Sequence, residues 1–181
     1  MFNDPKLLGV ALAAISLIWN LLNTVFSRSL EERLRQRALR IEEFRAAVRQ
    51  PIELALLELD DQAVEVELMD QAWANKPPTM EELISLNRSV TAATLRLSKR
   101  LQSADDLHHR SGHTWIDDYY AKEDQILDGL NAALDDTLAQ GLRQKGLSQA
   151  QANITLLRKK ISLSLSAELK ALSTKPRKQS V

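Results

Sequence analysis

The three histidines of this chain fall in one short stretch, Asp105-Asp106-Leu107-His108-His109-Arg110-Ser111-Gly112-His113, with Asp117 and Asp118 just beyond. Asp105, His109, His113 and Asp117 are spaced by four, so an unbroken helix would align imidazoles and carboxylates as ligands for a divalent metal. Gly112 and Thr114 work against an unbroken helix there, and the expectation is that polar residues crowd a helix end. No HExxH, Gly-x-Ser-x-Gly, phosphate-binding loop or GxGxxG pattern occurs. The chain contains no cysteine, which removes thiol catalysis, disulfides and cysteine-ligated zinc. No catalytic residue, cofactor, metal or small-molecule substrate is expected, and the reading is that of a protein that is not an enzyme. The formal net charge is zero, so no global field favours nucleic acid.

The polar residues with the clearer spacing lie elsewhere. Gly9, Ala13, Ser16, Asn20, Asn23 and Ser27 are separated by three or four residues and share one face of a helix. The stretch that positions them, Leu7 to Phe26, has no charged residue and would rise about 30 Å as a helix, the hydrocarbon thickness of a bilayer. A cleaved signal peptide needs a basic leader, a shorter apolar core and a small-x-small site. MFNDPK and Ser27-Arg28-Ser29 do not match that pattern, so a retained transmembrane helix over residues 7–27 is expected. Small residues let two such helices approach, and Ser or Asn can hydrogen-bond between them in lipid. The face is therefore a candidate self-association face; the same residues turned toward a lumen would line a pore.

Arg28, Arg33, Arg35, Arg37 and Arg40 follow the span, against Lys6 before it. The excess of cations predicts a short N-terminus, residues 1–6, outside, and the body in the cytoplasm of a cell or bacterial inner membrane. Over residues 28–50 the same phase becomes apolar: Leu30, Leu34, Ala38, Ile41, Phe44 and Val48 form a coiled-coil-like seam for a second copy or for a later helix of the chain.

Residues 51–173 predict a helical bundle, making the fold all-α: a transmembrane helix running into a long kinked helix, then three helices in up-down antiparallel order. Pro51 should kink or restart the first of these. Ile52, Ala55, Leu59, Ala63, Val66, Met69 and Trp73 give its apolar face. Val64 to Leu68 alternates as a strand would, but a long helical frame surrounds it. Thr79-Met80-Glu81-Glu82 is a capping box. It opens a helix with Leu83, Leu86, Val90, Ala93, Leu97, Leu101 and Leu107 inward. Thr114 should cap the next, with Ile116, Tyr119, Ile126, Leu130, Ala133, Leu134 and Leu138 inward. Gly141 and Gly146 should bracket a loop before a last helix starting at Ser148 and carrying Ile154, Leu157, Ile161, Leu165, Leu169 and Leu172.

Charge is blocked: residues 52–70 hold acids and no base, 114–136 are acidic apart from Lys122, and 143–178 are basic apart from Glu168. Opposite blocks should pack as neighbours. Residues 174–181 form a basic tail expected to be disordered. Lys170, Lys175, Arg177 and Lys178 would meet anionic lipid if the last helix ends near the bilayer. The function expected from these features is a membrane-anchored scaffold that binds another copy or a protein partner. The alternative is an oligomeric pore-forming effector.

Overall fold

The computed structural model describes residues 5–73, 75–107 and 115–174, with side chains from residue 14 onward except at 115–118 and 121. The described chain is all helical: α1 (Pro5–Phe44), a five-residue π-helix (Arg45–Arg49), α2 (Gln50–Trp73), α3 (Met80–Leu107), α4 (Trp115–Leu134) and α5 (Gln140–Thr174). It divides into two units, Met1–Glu42 and Glu43–Val181. The first is the helical stretch of α1. The second is a four-helix bundle in which each of α2 to α5 packs on two neighbours, in the cyclic order α2, α3, α4, α5.

Side-chain bonds give the register of the bundle. Arg96 Nε donates to Glu58 at 2.6 Å and sets α3 against α2. Arg158 donates to Asp60 at 2.6 Å, and Ser148 Oγ donates to Asp70 at 2.7 Å. As residue numbers rise on α5 they fall on α2, so these two helices are antiparallel. The opposite charge blocks of α2 and α5 are thus neighbours. These ion pairs are exposed and worth about 0.2–1 kcal/mol each, enough to bias helix order but not to hold the fold.

The core holds the fold. Ile52, Leu59, Val66, Leu97, Leu101, Ile126, Ile154 and Leu157 are fully enclosed, and each buried aliphatic side chain contributes about 1.5–3 kcal/mol. Trp73 closes the end opposite residue 43, with the Arg143 guanidinium 5.7 Å over its ring. Arg143 Nε also donates to the Ala133 carbonyl at 2.9 Å, satisfying an acceptor in the last turn of α4. Tyr119 is fully buried, and its hydroxyl lies 2.8 Å from the Thr94 carbonyl and 2.7 Å from Glu123. Burial and the Glu123 carboxylate push its pKa far above the ordinary phenol value.

Capping operates as its sequence implies. The Thr79 N–H donates to Glu82 at 2.7 Å, and the Glu82 N–H donates to Thr79 Oγ1 at 3.3 Å. The bond from the Thr79 N–H holds the Glu82 carboxyl below the usual carboxylate range. Between α4 and α5, Asp135 accepts from the Thr137 hydroxyl at 2.6 Å and the Thr137 N–H at 2.9 Å, which lowers its pKa likewise.

Several sequence expectations change. The irregularity next to Pro51 takes the form of a π-helix over Arg45–Arg49, in which the Gln50 N–H reaches back to the Arg45 carbonyl. A wider turn just before proline accommodates the missing donor. Leu107 is exposed, because α3 ends on it, and the inward end position is Ala104. Leu138 lies beyond the end of α4, in the connection to α5. The last helix begins at Gln140 rather than Ser148, and Gly141 and Gly146 sit within it. Gly146 is not a breaker but a contact: a Cβ on Gly129 would lie 2.7 Å from the Gly146 carbonyl and 3.2 Å from Ala150 Cβ. The two glycines let α4 and α5 approach backbone to backbone.

Candidate membrane and association surface

Between residues 15 and 26, helix α1 presents apolar side chains over more than half of its circumference. Ile15, Leu17, Ile18, Trp19, Leu21, Val25 and Phe26 are all more than half exposed, with Phe26 at 72 % and Trp19 at 70 %. A monomer in water rarely leaves so large a continuous patch uncovered. Among the described residues, no helix is long and apolar enough to cross a membrane. The part of the uncharged stretch with described side chains, residues 14–26, rises about 20 Å and is short of a span by itself. Residues 7–13, including Gly9 and Ala13 of the small-residue face, lie outside the described side chains.

The polar face divides into satisfied and unsatisfied groups. Ser27 Oγ donates to the Asn23 carbonyl and Thr24 Oγ1 to the Asn20 carbonyl, both at 2.8 Å. These hydroxyls are bonded within their own helix and need no partner. The Asn20 and Asn23 side-chain amides make no hydrogen bond among the described residues, and both are exposed. Ser16 is exposed on the same face.

The seam that follows changes character along its length. Leu30 and Leu34 are 59 % and 54 % exposed, Ala38 is exposed, and Ile41 is half-buried. Phe44 and Val48 are enclosed within the bundle unit. The chain's own helices therefore fill the C-terminal end of the seam, while its N-terminal positions keep an open apolar edge.

Lys170 is exposed in the last turns of α5. Lys175, Arg177 and Lys178 lie outside the described residues, as do His108, His109 and His113. Among the described residues no group of His, Asp or Glu is arranged to hold a metal ion.

One surface was missed by periodicity. Leu54, Leu57, Val64 and Leu68 form an outward stripe on α2, opposite its core face. The signal was the alternation of Val64, Val66 and Leu68: Val66 points into the core and its two neighbours point out. Comparison of the chain with protein-family models, curated proteins and solved structures finds no match.

Proposed function

We propose that the chain is a single-pass membrane protein whose helical bundle is a scaffold held at the bilayer, and that its membrane helix self-associates. The body is assigned to the cytoplasmic side by the arginines after the apolar stretch. The observation that carries the reading is the exposed apolar surface of α1 together with the unpartnered amides of Asn20 and Asn23. Lipid satisfies the first. The second needs a polar partner in hydrocarbon, which the same face of another copy supplies.

An interhelical hydrogen bond in lipid is worth about 0.6 kcal/mol on average and up to about 2. Replacing Asn20 and Asn23 together by Leu should thus weaken self-association by about threefold to thirtyfold, read by energy transfer between labelled copies in vesicles. Undiminished transfer would remove these amides from the contact. Planar-bilayer conductance that the same substitutions abolish would instead favour the pore.

The bundle also supports a second contact with lipid. Because α5 is antiparallel to α2, its C-terminal end lies at the level of the π-helix, where residue 43 enters the bundle. Lys170 is then at the end of the bundle that residue 43 enters, and Lys175, Arg177 and Lys178 follow it in the sequence. Each cation near an anionic surface contributes about 1 kcal/mol. Changing Lys175, Arg177 and Lys178 to Gln in the body, residues 29–181, should reduce its sedimentation with anionic vesicles and leave neutral vesicles unaffected. Equal sedimentation of the two proteins would show that the tail is not the contact.

A further inference from the structure

The outward stripe of α2 has the pattern of a helix seam without an occupant. Leu54, Leu57, Val64 and Leu68 are 53–60 % exposed, and with Asp61 they repeat at intervals of three and four. The positions flanking the stripe on both sides are acidic: Glu53, Asp60 and Glu67 on one, Glu58 and Glu65 on the other. Arg49, Arg158 and Arg96 already pair with Glu53, Asp60 and Glu58. Asp61 and Glu65 meet no cation among the described residues. Two copies of this face would set acid against acid along both edges, so the stripe does not pair with itself. An anionic lipid surface is disfavoured for the same reason.

The complementary face is on the same chain. On the outward side of α5, Leu156 and Leu163 are 51 % and 62 % exposed. Lys145, Lys159 and Lys170 lie on that side and are exposed. Its apolar positions are fewer, and its charges have the opposite sign. We propose that the acidic face of α2 docks on the basic face of α5 in a second copy. The two patches differ, so the contact is heterologous, and a docked pair retains one free patch of each kind, one on each copy. The association is a ring or a row of scaffolds on the membrane rather than a two-fold dimer.

The alignment rests on the anchored reading given above. Copies anchored in one bilayer by the same helix have equal heights, and within a copy Asp60 is level with Arg158 and Asp70 with Ser148. That register places Leu57 of one copy within a turn of Leu163 of the next, and Val64 within a turn of Leu156.

The chain has no cysteine, so introduced thiols report a single contact. Full-length Leu57→Cys and Leu163→Cys proteins are to be mixed in phosphatidylcholine vesicles and oxidised. Crosslinked dimers should form in the mixture, and each protein alone should give at most a fifth of that yield. Adding Asp61→Lys and Glu65→Lys to the Leu57→Cys protein should cut the mixed yield at least fivefold. Adding Lys159→Glu, which that register sets within a turn of Asp61, to the Leu163→Cys protein as well should raise the yield again at least twofold. Crosslinking of Leu57→Cys alone at the mixed yield, no crosslinking in the mixture, or no response to the charge exchange would overturn the proposal. Retention by the vesicles after an alkaline wash is scored in the same samples. Loss of retention fails the membrane reading, whereas a missing crosslink in retained protein fails the docking.

Discussion

Replacing Gly146 by Leu should unfold the bundle at a markedly lower temperature. The position faces the Gly129 backbone and the Ala132 side chain, so a large side chain meets a carbonyl that cannot turn aside. Overpacking a tight core costs about 1–3 kcal/mol, and contact with backbone puts this change at the upper end. At about 2–4 °C per kcal/mol for a domain of this size, the midpoint should fall by about 6–12 °C. Gly141 provides the contrast. A Cβ there meets nothing within 4 Å, so Gly141→Ala removes flexibility without a clash. It should raise the midpoint slightly, as alanine is favoured over glycine in a helix by up to about 1 kcal/mol. Circular dichroism of residues 29–181 on heating measures both. A Gly146→Leu protein as stable as the parent would show that α4 and α5 do not approach as described.

The second large effect concerns the proposed anchor. Arginine at the centre of a membrane helix costs about 2.5–3.5 kcal/mol. Leu17→Arg with Leu21→Arg places two cations on an exposed part of α1, where no core contact is lost. The expected cost of insertion is about 5–7 kcal/mol, a shift of about ten-thousand-fold in partition between bilayer and water. The variant should leave the membrane fraction while its bundle keeps its helical signal and melting temperature. Retention of the arginine variant in washed membranes would mean that α1 is not the anchor.

How much of this is visible in the sequence depends on what each residue is asked to reveal. Leu83, Leu86, Val90, Ala93, Leu97 and Leu101 announce their helix and its inward face together, because one side is apolar and the other polar. Thr79 and Glu82 announce where it starts. Helix α2 hides half of its design, since its outward stripe blurs the contrast on which periodicity relies. Gly146 is misleading for another reason. A glycine signals chain freedom or close approach, and sequence alone does not distinguish them; the opposing Gly129 does, once the helices are paired. Pro51 marks an irregularity correctly but leaves its form open, and the π-helix is one of several ways to absorb a lost donor. The spacing of Ser16, Asn20 and Asn23 is legible as one helix face. What that face meets is not, because the amides of Asn20 and Asn23 find no partner among the described residues.

The most direct test of the central claim is the sidedness of two introduced thiols in intact cells. Asn3→Cys and Ser162→Cys proteins are exposed to a membrane-impermeant maleimide before and after lysis. A single-pass anchor with a cytoplasmic body requires the Asn3→Cys protein to react from outside and the Ser162→Cys protein to react only after lysis. Both proteins should stay with alkaline-washed membranes. Labelling of both proteins only after lysis, with both released by the wash, would contradict the single-pass reading.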